Sequence, residues 1–252
     1  MVSKAKIKQV RLLEKKKYRD EYQLFVAEGN KLVSDMIPFF ACEWMIARTP
    51  WIATQGNMPV KELIIAEEDD IRKVSLLKSP QDVLAVFRHP FYTIEEADPA
   101  TVLVLALDGI QDPGNLGTII RLADWFGIEH VVCSPDTADA FGPKAVQASM
   151  GALVRVKVHY TQLEDFFIDR DISIYGAFLD GNSIYEEKLS SHGVIIIGNE
   201  GNGIRPSIES LVNKRLYIPT YPPTRKNAES LNAAIAAAII CAEFRRRTGH
   251  KF

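Results

Sequence analysis

The stretch VIIIGNEGNGI, Val194 to Ile204, decides how the chain is read. Four apolar residues, Val194 through Ile197, stop at Gly198-Asn199-Glu200-Gly201-Asn202-Gly203, the pattern of a buried strand opening into a tight turn. Three glycines within six residues relax the backbone and remove obstructing Cβ atoms, so main-chain groups there can come close to a ligand. A dinucleotide fingerprint has the order G-x-G-x-x-G on the first strand of its unit, with an acid about 20 residues on. Here the order is G-x-x-G-x-G, late in the chain, and Leu216 to Asn227, where that acid belongs, holds no Asp or Glu. Taken alone, the cluster reads equally well as a strand followed by a sharp surface turn.

Upstream, Val102 to Leu107 is a second continuous apolar strand. The loop Asp108 to Asn115 then leads to a helix over Thr118 to Phe126, closed by Gly127 at a C′ position, and to a strand over His130–Cys133. The alternation continues with a helix at Pro143–Ser149, a strand at Val154–His159, a helix at Leu163–Ile168 and a strand at Ile172–Phe178. After Gly193–Ile197 come a helix at Pro206–Val212, a strand at Leu216–Ile218 and an alanine-rich helix from Ser230 to about Arg247. Such an order predicts a mostly parallel sheet with helices on both faces.

Parallel sheets bind ligands outside the carboxyl ends of their strands. Three loops leave such ends: Asp108–Arg121, Gly198–Gly203 and Pro219–Asn232. In the first, Arg121 lies on the helical face of Gly117 and Thr118 and can reach back toward the loop end, where its fork of donors suits phosphate. A lone helical arginine more often makes a surface ion pair. In the third, Ser230-Leu231-Asn232 at a helix start is accounted for by an N-cap at Ser230.

Toward the N-terminus, Ile7 to Tyr18 reads as an exposed basic helix, followed by a strand at Gln23–Ala27, a helix at Asn30–Phe39 and further alternating pieces through Val83–Arg88. Pro90 to Pro99, bracketed by prolines and acidic in its second half, has linker composition. The expected division is therefore a small α/β domain over residues 1–95 and a second domain over residues 99–252.

At 252 residues, 47% hydrophobic and 25% charged, the chain has material for one large or two small cores. Cys42, Cys133 and Cys241 are widely spaced and free of any C-x-x-C pattern, which suggests neither a disulfide framework nor a zinc site. The N-terminus lacks an apolar leader segment, and the longest apolar run, Leu231 to Ala242, is broken by Asn232 and too short to span a bilayer; a cytoplasmic protein without a membrane partner is expected. Net charge is −2, but it is segregated: residues 1–33 carry nine Lys/Arg against four Asp/Glu, and residues 243–252 carry four against one. Both termini are candidates to face phosphate, and equally to be solvated helix faces.

Together, in this order and spacing, the three segments resemble the SpoU (TrmH) family of RNA ribose 2′-O-methyltransferases within the SPOUT superfamily. The resemblance covers Val102 to the C-terminus through DPGNLGTIIRLADWFGIEHVV, IIIGNEGNGI and IPT…ESLNAAIAAAI, with KAVQASMGALVRV, Lys144 to Val156, as the family's intervening stretch. Thr220, Leu122 and Ala234 depart from the residues common at those positions, and the loop Tyr221–Glu229 is proline-rich and basic. The N-terminal part resembles, through Phe25 to Val33, a small ribosomal-protein-like RNA-binding domain.

The resemblance implies an α/β fold: a parallel-sheet SPOUT methyltransferase domain with a C-terminal trefoil knot, preceded by the RNA-binding domain. Connection rules disfavour threaded chains; the resemblance takes precedence here. It further implies S-adenosylmethionine as cofactor, no metal, a homodimer, and rRNA (23S) or tRNA as substrate. By the same resemblance, Gly198, Asn199, Gly203, Ile218, Pro219 and Leu231 hold the cofactor, and Arg121 is the catalytic residue, with Asn115, Glu200, Ser230 and Asn232 orienting it and the ribose. A guanidinium with a pKa above about 12 is a poor base, so Arg121 is expected to fix the target phosphate and stabilise the developing alkoxide. The competing readings are a nucleotide-dependent oxidoreductase and a non-catalytic RNA-binding protein of the same fold.

Overall fold

A computed structural model describes residues 2–168, 171–222 and 230–248. Its strands are β1 (Leu24–Glu28), β2 (Cys42–Ala47), β3 (Leu63–Ile65), β4 (Val83–Arg88), β5 (Leu103–Asp108), β6 (His130–Cys133), β7 (Lys157–Tyr160), β8 (Ile174–Phe178), β9 (Asn182–Ser183), β10 (Gly193–Gly198) and β11 (Lys214–Tyr217). Its α-helices are α1 (Lys4–Leu13), α2 (Lys16–Tyr22), α3 (Asn30–Met36), α4 (Thr49–Ile52), α5 (Glu68–Val74), α6 (Pro113–Trp125), α7 (Pro143–Ser149), α8 (Leu163–Phe167), α9 (Pro206–Glu209) and α10 (Ala233–Thr248).

The chain forms two compact units, and the cut between them is not single. Met1–Phe91 and Asp139–Val154 make one; Tyr92–Ala138 and Arg155–Phe252 make the other. Residues 139–154, expected with the second domain, pack with the first because α7 lies on β1 and Gln147 donates to the Glu28 carbonyl at 2.6 Å.

In the first unit a four-stranded sheet has the order β1-β4-β2-β3, antiparallel except for the β2/β3 pair. Val10 and Leu13 of α1 pack with Trp44, Ile46, Ile71 and Leu84 in its core. The single basic helix expected over residues 7–18 is two helices, interrupted at Glu14 and Lys15, where Lys15 is extended. The break accompanies the burial of Arg19, which donates to the Leu13 carbonyl at 2.7 Å and pairs with Asp139 at 2.6 Å. Arg19 is thus unavailable to a phosphate, whereas Lys4, Lys8, Arg11 and Lys15 are exposed.

In the second unit every pairing of the seven-stranded sheet, β7-β6-β5-β10-β8-β11-β9, is parallel. The parallel class expected from the alternation is observed. The run Leu103–Asp108 is buried throughout, as a strand covered on both faces must be. Helix α6 begins at Pro113, five residues before the expected start. Asp112 accepts from the Asn115 amide at 2.9 Å as N-cap, and Pro113 needs no amide partner in the first turn. At its far end Gly127 takes φ +61°, and the Arg245 guanidinium caps the Phe126 and Gly127 carbonyls at 2.6 and 2.8 Å. Arg246 and Arg247 pair with Glu243, so three of the four C-terminal cations have partners within the chain, although Arg246 and Arg247 stay exposed. The fourth, Lys251, lies outside the described residues.

On β6 and β7 the buried rings of His130 and His159 meet at 3.1 Å between Nδ1 and Nε2, beside Lys157, Glu96 and Tyr92. Burial, reinforced by the neighbouring ring, lowers the His159 pKa from 6.5 to about 4, and burial lowers that of His130 as well. Because the unfolded chain takes up these protons first, stability is complete above pH 6.5 and is lost as pH falls toward 4. For His159 the loss is up to about 3 kcal/mol at 1.36 kcal/mol per unit. Chemical denaturation between pH 7 and 4 should show it, and His159→Gln should flatten the profile.

Candidate active site

β5 and β10 are adjacent and parallel, with Gly198 in register with Asp108. The chain runs from β5 outward through β6 and β7 on one side, while β10, β8 and β11 fill the other. This switch point is where an open parallel sheet leaves a crevice at its carboxyl edge. The loops after β5, β10 and β11 therefore open on the same edge.

Side chains join the loops. Asn115, in the first turn of α6, donates through Nδ2 to Glu200 Oε1 at 2.7 Å and accepts through Oδ1 from Asn232 Nδ2 at 3.0 Å. Asn232 Oδ1 in turn accepts from the Ala234 and Ile235 amides at 2.9 and 3.3 Å. Asn232, not Ser230, is thus the N-cap of α10, two residues later than expected, because its amide satisfies two orphan donors of the first turn. Ser230 is exposed. Residues 223–229 of the preceding loop lie outside the described residues.

Arg121 stands apart from this chain of amides and carboxylate. It is exposed on the face of α6 that carries Thr118 and, among the described residues, neither hydrogen-bonds nor ion-pairs through its side chain. The surface ion pair that competes for such an arginine is not made there. Ile218 and Pro219 follow β11 directly, the first partly buried and the second exposed, and Leu231 is 48% exposed before α10.

The glycine turn is closed on itself. Asn199 and Gly203 exchange amide and carbonyl hydrogen bonds at 2.9 Å each, and Asn199 Oδ1 accepts from the Gly201 and Asn202 amides at 2.9 and 3.0 Å. A Cβ at Gly198 would lie 2.3 Å from the Gly203 carbonyl carbon and 2.4 Å from the Ile204 nitrogen. The approach of the Gly203 and Ile204 backbone is by itself enough to require glycine at 198, a reason that spacing does not show. At Gly203 a Cβ would meet open space, so there is room beside the turn.

Four polar residues that motif reading passed over knit the strand ends. Asp108, 1% exposed at the end of β5, accepts from the Arg205 amide at 2.7 Å, and the Arg205 side chain pairs with Asp108 and with Asp136 at 2.5 and 2.8 Å. The Ser134 hydroxyl, then Arg205, holds the Asp136 carboxyl below its ordinary range. The available signal was an acid closing an otherwise apolar run, Val102 to Leu107.

A profile of the SpoU rRNA Methylase family matches residues 102–242, the span that carries all three loops. The chain belongs to the SpoU family. Residues 4–85 match an MRM3-like substrate binding domain. Over 241 residues the chain is 32% identical to a 23S rRNA (guanosine(2553)-2′-O)-methyltransferase of Bacillus subtilis, covering 93% of this chain and 94% of that one. A putative TrmH-family RNA methyltransferase from Porphyromonas gingivalis superposes with a TM-score of 0.88 at 41% identity, covering 98% and 100% of the two chains. An AdoMet-bound rRNA methyltransferase from Sinorhizobium meliloti gives a TM-score of 0.84 at 28% identity, covering 98% and 97%. Among the described residues of this SpoU chain, no helix is long and apolar enough to cross a membrane, and no cluster of three His, Cys, Asp or Glu side chains is placed to hold a metal.

Proposed function

We propose that this protein transfers the methyl group of S-adenosylmethionine to a ribose 2′-hydroxyl of ribosomal RNA. The observation that carries the reading is the Glu200–Asn115–Asn232 hydrogen-bonded chain, which gathers the three loops of a SpoU-family sheet at its carboxyl edge. When bound, S-adenosylmethionine supplies an electrophilic methyl on a sulfonium that leaves as a neutral thioether, which needs no metal. The partly buried Ile218, the exposed Leu231 and the open space at Gly203 suit an adenosyl group, and we assign the cofactor seat to Gly198, Asn199, Gly203, Ile218, Pro219 and Leu231. The side chain of Asn199 orders the turn, so its part in the seat is structural.

Arg121 is assigned to grip the target phosphate and stabilise the developing 2′-alkoxide, since a guanidinium offers a fixed fork and cannot serve as base at neutral pH; the O–CH3 bond forms as the S–CH3 bond breaks, and the hydroxyl proton passes to the solvent to which this face of α6 is exposed. Asn115, Glu200 and Asn232 hold the first turn of α6 and thereby the aim of that arginine; exposed Ser230 is left to meet the ribose. The first unit supplies RNA affinity, supported by the exposed cations of α1 and its substrate-binding likeness. We take 23S rRNA over tRNA on the Bacillus relative. The same reading includes a cytoplasmic location, a threaded C-terminus and a homodimer, the last supported by exposed Ile235 at the start of α10.

The test is incubation of the purified protein with 23S rRNA or tRNA and methyl-labelled S-adenosylmethionine, followed by nucleoside mass spectrometry. Label in one 2′-O-methylated nucleoside of 23S rRNA is expected. Label on a base, or RNA binding without any transfer, would overturn the reading.

A further inference from the structure

We propose that Arg205 is a positioning residue for the cofactor seat: it tethers the exit of the 198–204 turn to the ends of β5 and β6, and so keeps that turn in the form the cofactor fits. This rests on the reading above, in which the methyl donor lies among the three loops.

The turn is held at both ends. At its entry Asn199 Nδ2 donates to the Gly109 carbonyl at 2.7 Å. At its exit the Arg205 amide donates to Asp108 Oδ2 at 2.7 Å, its Nε pairs with Oδ1 at 2.5 Å, and its Nη2 spans both oxygens of Asp136 at 2.8 and 2.9 Å. Those anchors are themselves fixed: Asp108 is in the β5 ladder, the Gly109 amide donates to Ser134 Oγ at 2.9 Å, and Thr137 Oγ1 donates to the Leu107 carbonyl at 3.1 Å. Between the two anchors lie Glu200, which holds Asn115, and two of the three glycines. A glycine-rich segment has many accessible conformations. If only a fraction of molecules hold the bound form, apparent affinity falls by that fraction. One guanidinium that ion-pairs with Asp108 at the end of β5 and hydrogen-bonds to Asp136 in the turn after β6 raises the fraction, because it ties the exit of the turn to both places at once.

The unaltered 252-residue chain is compared with Arg205→Gln, Arg205→Lys, Asp136→Asn and the double variant Asp108→Asn/Arg205→Gln. The double variant removes the buried carboxylate together with its partner, since an unpaired Asp108 could unfold the single variant. S-Adenosylmethionine binding is read by calorimetry, KM and kcat by methyl transfer, and RNA affinity by filter binding. Arg205→Gln, or the double variant if the single one does not fold, should raise the S-adenosylmethionine Kd and KM about tenfold with kcat and RNA affinity within about threefold of wild type. Arg205→Lys and Asp136→Asn should fall between, at about threefold. A folded variant with wild-type Kd and KM overturns the tether. So does tighter binding in Asp136→Asn, because freeing the guanidinium helps only if it touches the cofactor directly. Wild-type protein that neither binds S-adenosylmethionine nor methylates RNA refutes the functional reading instead.

Discussion

Arg121→Ala should cut single-turnover methyl transfer by a factor on the order of 10² or more while leaving S-adenosylmethionine binding nearly intact. Arg121 is exposed one helical turn beyond Gly117 and, among the described residues, makes no side-chain hydrogen bond or ion pair, so its removal costs the fold nothing that the structure shows. The cofactor seat belongs to other loops. An interaction made only with the phosphate and the developing alkoxide appears in the rate and not in the ground-state affinity. Arg121→Lys should rescue poorly, because a point charge cannot grip two oxygens in a fixed plane. Wild-type single-turnover rates in the alanine variant would return Arg121 to the status of a surface residue and remove the proposed chemistry.

Gly198→Ala should abolish detectable S-adenosylmethionine binding and lower stability by about 1–3 kcal/mol, the usual cost of forcing an extra methyl group into a packed site. The added Cβ meets backbone atoms of Gly203 and Ile204 at 2.3–2.6 Å, and backbone cannot rotate away as a side chain can. The exchange of hydrogen bonds between Asn199 and Gly203 must then open, Glu200 moves, and Asn115 loses its partner. Thermal denaturation and calorimetry measure both effects. A folded alanine variant with unchanged affinity would show that the closed turn is not part of the seat.

The two effects differ in how far they were legible beforehand. Spacing alone puts Arg121 on the helical face of Gly117 and Thr118, since helical periodicity is local, while its catalytic role comes from the family resemblance. At Gly198 spacing shows that a glycine is wanted but cannot show that the Gly203 and Ile204 backbone comes near it. Ser230 fails similarly. A serine before an alanine-rich helix is a sound cap signal, but Asn232 two residues later captures the orphan amides and links to Asn115 besides.

By itself the sequence determined the parallel α/β class, the three loops at strand ends, the family and the residues worth testing, because hydrophobic period, turn chemistry and motif spacing are properties of short segments. Tertiary structure alone decided that β10 lies between β5 and β8, that residues 139–154 join the N-terminal unit, and that Asn115 meets partners 85 and 117 positions away. It also gave Arg19, Arg245, Arg246 and Arg247 their partners within the chain. A cation's partner and a strand's neighbour follow from how buried surfaces pack across the whole chain, and no local window contains that information.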